Sequence, residues 1–117
     1  MRDHTKLRAF ELADELVILI YVITKQFPRE EIYGLMSQIR RAAVSVPSNI
    51  VEGCGRENPK EFLRFLEISF SSLREVKYQL SLSERLGYFE KEESFELKIL
   101  ETEKVLSSLI KSLRLKL

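Results

Sequence analysis

The sequence predicts an all-α protein, an antiparallel up-down-up-down four-helix bundle, on three observations. Apolar residues recur at helical spacing in four long stretches, and the rare glycines and prolines punctuate them. No alternating run is bounded by turn residues, as a strand would be. Short connections between long helices then make sequential neighbours antiparallel. The chain has 117 residues, which suits one domain over 1–117 with a single core.

The first helix is expected from about Lys6 to Gln26, because proline disfavours helix in the residue before it and Phe27-Pro28 follows. Phe10, Ala13, Val17 and Ile20 make its core face, which turns Ile18 and Val22 outward. Yet the segment LVILIYVI is apolar all round, and such a helix is normally covered on more than one side. In so small a bundle the simplest cover is another copy of the chain. Ile18 and Val22 are therefore candidate oligomer-interface residues, with scattered surface hydrophobes as the plainer alternative.

The second helix is expected from near Arg29, where Glu30 and Glu31 complement its N-terminal dipole, to about Arg56. Pro47 lies inside it and costs ~3 kcal/mol or more by removing a hydrogen bond to the Ala43 carbonyl. One kinked helix is preferred to a break at Val46-Pro47, because the polar and apolar stripes stay in phase across the proline. The third helix starts at Asn58-Pro59, with Asn as N-cap, Pro at the first position and Glu61 at the third. It ends at Leu86-Gly87, with Gly87 as a left-handed cap. Its seam is Phe62, Leu66, Ser69, Leu73, Val76 and Leu80. The fourth runs from about Lys91 to Leu115, with Phe95, Ile99, Leu106, Leu109 and Leu113 as its seam.

Residues 38 to 53, QIRRAAVSVPSNIVEG, hold the main functional signal. Gln38, Arg41, Ser45, Asn49, Glu52 and Arg56 fall within an arc of roughly 80° on the second helix. A plain surface helix would carry flexible Lys and Glu there, whereas short amides, hydroxyls and arginines suit fixed hydrogen bonds. If the second and third helices form an antiparallel hairpin, Arg41 meets Glu75, Ser45 meets Ser72, Glu52 meets Arg64 and Gln38 meets Gln79. These pairs are expected to be intrachain clamps, part of a subunit interface, or a surface for a ligand or nucleic acid.

Several function classes are disfavoured. His4 sits near the chain start without a fixed acidic partner, so it makes a poor general base. Cys54 has no neighbouring histidine and reads as a packing residue. Glu-Gly-Cys-Gly lacks phosphate-loop spacing, and the carboxylates lack the Glu-x-x-His pattern of a di-iron bundle. The expectation is no enzyme, no metal and no cofactor. A lone cysteine and no apolar leader suggest a cytoplasmic protein; Leu16–Ile23 is far shorter than the ~20 residues that span a bilayer, so no membrane partner is expected.

Lys+Arg (19) and Asp+Glu (18) nearly cancel, leaving +1, so nucleic-acid binding would need local patches. Arg40, Arg41, Arg56, Lys60 and Arg64 around the second turn form one candidate, and Lys104, Lys111, Arg114 and Lys116 another. Acidic residues interleave with them, so a mixed solvated face is the simpler reading. A ring of identical subunits would nevertheless multiply one weak patch into a basic rim, giving backbone-directed, salt-dependent binding.

FPREEIYGLMSQIRRAAVSVPSNIVEG, then NPKEFLRFLEISFSSLREVKYQL, then LGYF, resembles the small four-helix-bundle family named after intervening sequences in 23S ribosomal RNA genes. The likeness runs from Phe10 to Leu113, with Ser69-Phe70 and Ser71 as mild departures that bear on packing. It implies an antiparallel bundle assembled as a homopentamer with a central channel. It also implies similarity to the pentameric accessory proteins of diversity-generating retroelements, which bind a reverse transcriptase and nucleic acid. Gln38, Arg41, Ser45, Asn49, Glu52, Ser72 and Glu75 match the family's signature positions, whose purpose the resemblance leaves open. The combined expectation is a homo-oligomeric scaffold, a pentamer, with RNA or a reverse-transcriptase-like protein as partner. The competing class is a protein-interaction adaptor without nucleic-acid affinity.

Overall fold

The computed structural model describes residues 2–117, an elongated body of 45 × 26 × 20 Å. Four helices make it up, α1 (Arg8–Thr24), α2 (Leu35–Cys54), α3 (Pro59–Arg85) and α4 (Glu93–Leu115), with no strand among the described residues. α1 packs against α2 and α4, and α3 packs against the same two helices, as in a bundle.

α1 starts later than its periodicity suggests. Asp3 accepts the Thr5 N–H and caps a single 3₁₀ turn, His4–Lys6, after which Leu7 is extended. The apolar face is also rotated from the expected one. Leu12, Leu16 and Ile20 are fully buried with Ala9 and Ala13, while Phe10 and Val17 only flank the core. α1 ends at Thr24, whose hydroxyl donates back to the Ile20 carbonyl.

α2 begins at Leu35, not near Arg29. Arg29–Glu31 forms only a 3₁₀ turn, and Gly34 stands outside the helix as its N-cap residue. Glu31 still acts on the α2 terminus, by accepting the Leu35 N–H at 2.9 Å. Its other oxygen accepts the Tyr88 hydroxyl at 2.7 Å, which ties this end of α2 to the α3–α4 connection. Phe27 packs beside Tyr88 and Phe89 at the same end.

These hydrogen bonds, from Leu35 and then Tyr88, hold the Glu31 carboxyl below the usual carboxylate range. A depressed folded-state pKa gives stability that is present above the unfolded pKa and is lost as pH falls through the folded value. The melting temperatures of the wild type and Glu31→Gln are therefore expected to differ at neutral pH and to converge in acid. A gap that stays constant down the pH series would remove Glu31 from the acid response.

α2 continues as one helix through Pro47, with Val46 and Ile50 fully buried on either side. Ser69 of α3 donates its buried hydroxyl to the Val46 carbonyl at 2.7 Å, beside the proline. α3 starts as its sequence indicates: the Asn58 side chain accepts the Lys60 N–H and Pro59 takes the first position. It closes on Gly87 at φ 78°, with Gly87 N–H bonded to Glu84 and Tyr88 N–H to Ser83. The whole expected α3 seam is buried. On α4 the seam turns through Thr102 and Ile110, leaving Leu109 and Leu113 half-buried. The Thr102 hydroxyl, bonded to the Lys98 carbonyl, is what lets a polar residue occupy a core position.

Candidate functional site

The polar row of α2 lies along its junction with α3. α2 and α3 can approach closely because small residues line their contact: Ala42, Ser45, Gly53, Ser69 and Ser72. Ser45 and Ser72 share a hydrogen bond of 2.8 Å, as the hairpin pairing requires. Asn49 donates to both the Ser45 hydroxyl and the Ser45 carbonyl, which fixes that hydroxyl from its own helix. Toward the start of α2 the row opens into a shallow groove of about 340 Å³. Gln38, Arg41, Ala42 and Ser45 line it from one side, and Ser72, Glu75 and Gln79 from the other.

The charged pairings differ from expectation. Arg41 and Glu75 share the groove, but both are exposed and neither joins an ion pair among the described residues. They are not a buried clamp. Arg41→Ala is accordingly expected to change stability by less than about 0.5 kcal/mol in urea melts. A loss of ~3 kcal/mol would restore the clamp.

Glu52 pairs with Arg56, just beyond the end of its own helix, at 2.7 Å, and not with Arg64. The physical reason is Phe65, which stands between the two helices at this level. The Arg56 guanidinium lies 5.0 Å from its ring centre and that of Arg64 4.7 Å. This arginine–phenylalanine–arginine stack was not foreseen. The spacing of Phe65 next to Arg64 was its only trace in the sequence.

Nor do the five candidate basic residues form one patch. Arg40 donates to the Thr24 hydroxyl at 2.7 Å and to the Tyr21 carbonyl, with its guanidinium over the Tyr21 ring. It caps the end of α1, far along α2 from Arg56. Arg41 belongs to the groove just described. Only Arg56, Lys60 and Arg64 remain at the α2–α3 turn, with Lys60 exposed. Arg2 joins this end, bonding its N–H to the Cys54 carbonyl and its guanidinium to that of Arg56 while covering Phe62.

A second groove, between α1 and α2, shares Arg41 and Ser45 with the first. It is lined by Tyr21, Ile32, Tyr33, Met36 and Val44, and Tyr33 is 97% exposed. On the outer face of α1, Ile18 and Val22 are 63% and 53% exposed. Cys54 is buried, and burial raises its thiol pKa, the opposite of an activated nucleophile. His4 packs edge-on against Phe10. Among the described residues no group of acidic, histidine or cysteine side chains could hold a metal ion, and no helix is long and apolar enough to cross a membrane.

Comparison with known proteins places this architecture. The sequence profile described as 23S rRNA-intervening sequence protein matches residues 5–111. The chain belongs to that family. Its fold is similar to the crystal structure of a protein of unknown function from the S23 ribosomal protein family of Bacteroides thetaiotaomicron. The TM-score is 0.79 at 27% identity, covering 88% of this chain and 95% of that one. No functionally curated protein matches. Within the 23S rRNA-intervening sequence family, then, the α2–α3 row and the flanking grooves are the surfaces left to account for.

Proposed function

We propose that this family member is a non-enzymatic scaffold that assembles with itself through α1 and binds RNA, alone or within a ribonucleoprotein, in the cytoplasm. The RNA part is carried by the stack of Arg56 and Arg64 on Phe65, with Lys60 exposed one turn before Arg64. Arg56 spends one N–H on Glu52, whereas Arg64 joins no ion pair among the described residues, so its guanidinium, held on the ring, keeps its edge free for phosphate oxygens and offers a flat face to an unpaired base. Past Glu103 the chain adds Lys104, Lys111, Arg114 and Lys116 and no acidic residue.

Assembly is supported by Ile18 and Val22, two large apolar side chains left in water one turn apart. A closed ring, read here as five copies, multiplies the cationic end of each subunit and so overcomes the near-zero net charge. Each subunit is a single domain whose helices alternate up and down. In support, Ser45 meets Ser72 while Gly53 lies against Phe62 and Phe65, so numbering rises on α2 as it falls on α3. Lys77–Glu103 with Arg114–Glu67, and Arg8–Glu101 with Lys98–Glu15, repeat the pattern for α3 with α4 and α1 with α4.

The exposed Tyr33 and its apolar groove favour a second reading, an adaptor for another protein. Binding to single-stranded RNA at low salt separates the two. The scaffold reading expects affinity to fall about tenfold or more between roughly 50 and 200 mM salt, with Arg56→Ala/Arg64→Ala reducing the slope. Absence of any salt-sensitive binding leaves the adaptor.

A further inference from the structure

We propose that the groove between α2 and α3 is a slot that reads an unpaired guanine, a proposal that rests on the RNA reading above. Its floor is short, because Ser45 and Ser72 spend their hydroxyls on each other. Its walls are long: Gln38 and Arg41 from α2, Glu75 and Gln79 from α3. Among the described residues, Arg41 and Glu75 face the same space without an ion pair within 4.0 Å, whereas six other cations are paired with carboxylates. A fork of donors and a carboxylate thus border one open space.

Guanine is the base that answers both. Its O6 and N7 accept a bidentate arginine, the pairing most often used to read it. Its N1–H and N2–H₂ groups lie side by side as the two donors that a carboxylate accepts. Adenine would set its N1 lone pair against Glu75, cytosine its N3, and uracil offers a single N–H. Both edges of a base are open together only in unpaired RNA, where proteins read sequence by splaying bases out. The neighbouring groove, contiguous through Arg41, presents Tyr33 as a stacking surface for an adjacent base.

The test uses fluorescence anisotropy of the whole protein with short uridine strands carrying one central guanine, adenine or cytosine, and guanosine monophosphate as competitor. The guanine strand is expected to bind at least about fivefold tighter than the others. Glu75→Gln should abolish that preference while retaining the salt-dependent background, and Arg41→Lys should weaken it. Equal binding of all strands overturns the slot and leaves the RNA reading standing. No binding of any strand overturns both. A changed sedimentation mass for Glu75→Gln without RNA, with helical content intact, would reassign the groove to a subunit contact and overturn the slot.

Discussion

Gly53→Val is expected to destabilise the protein by about 2–3 kcal/mol, although valine is the better helix former by roughly 0.5 kcal/mol. A Cβ at Gly53 would sit 2.9 Å from the Phe65 Cβ, 3.1 Å from the Phe62 Cδ1 and 3.3 Å from the Phe62 carbonyl oxygen. None of these is the far end of a flexible side chain, so α3 itself has to move. The displacement would also tilt Phe65 away from Arg56 and Arg64. Urea unfolding should show a midpoint lowered by roughly one molar with an unchanged slope. Gly53→Ala should lie between the two. An unaltered midpoint for both would mean that the helices do not touch there.

Ile18→Glu is expected to reduce the sedimentation mass to that of one chain while leaving helical content and melting behaviour of the subunit nearly unchanged. Ile18 is mostly in water in the isolated subunit, so a carboxylate there meets no desolvation penalty until a second copy covers it. Covering would strand the charge in an apolar contact, and association would fail. Should the variant keep the parent mass, α1 is not the surface through which copies meet. Should the parent itself run as one chain, self-assembly falls altogether.

Legibility of the fold in the sequence followed the strength of local chemistry. α3 could be read at both ends because Asn58-Pro59 and Gly87 each impose a backbone conformation that few alternatives tolerate. Continuity of α2 through Pro47 followed from two stripes holding one phase. The start of α2 was misplaced because Glu30 and Glu31 resemble a helix beginning, whereas Gly34 interrupts the path and Glu31 reaches forward to Leu35. Periodicity alone could not separate the faces of α1, since nearly every residue from Leu16 to Ile23 is apolar.

At the candidate site, Ser45 and Ser72 were legible because both are short and have one way to meet. Long side chains were not. Glu52 found a partner four residues on, just past the end of its helix, Arg40 bent back onto Thr24 and Tyr21, and Arg41 and Glu75 stayed apart. Residue numbers place the Cα atoms of such groups, but several rotatable bonds decide where their charges end.

The buried Cys54 turns the molecule into its own stopwatch. Its thiol is shielded from solvent, held protonated by burial, and lies where the Arg2 amide clasps the last turn of α2. An alkylating reagent must wait for that clasp to loosen, so the pace of labelling measures how often this corner of the molecule breathes.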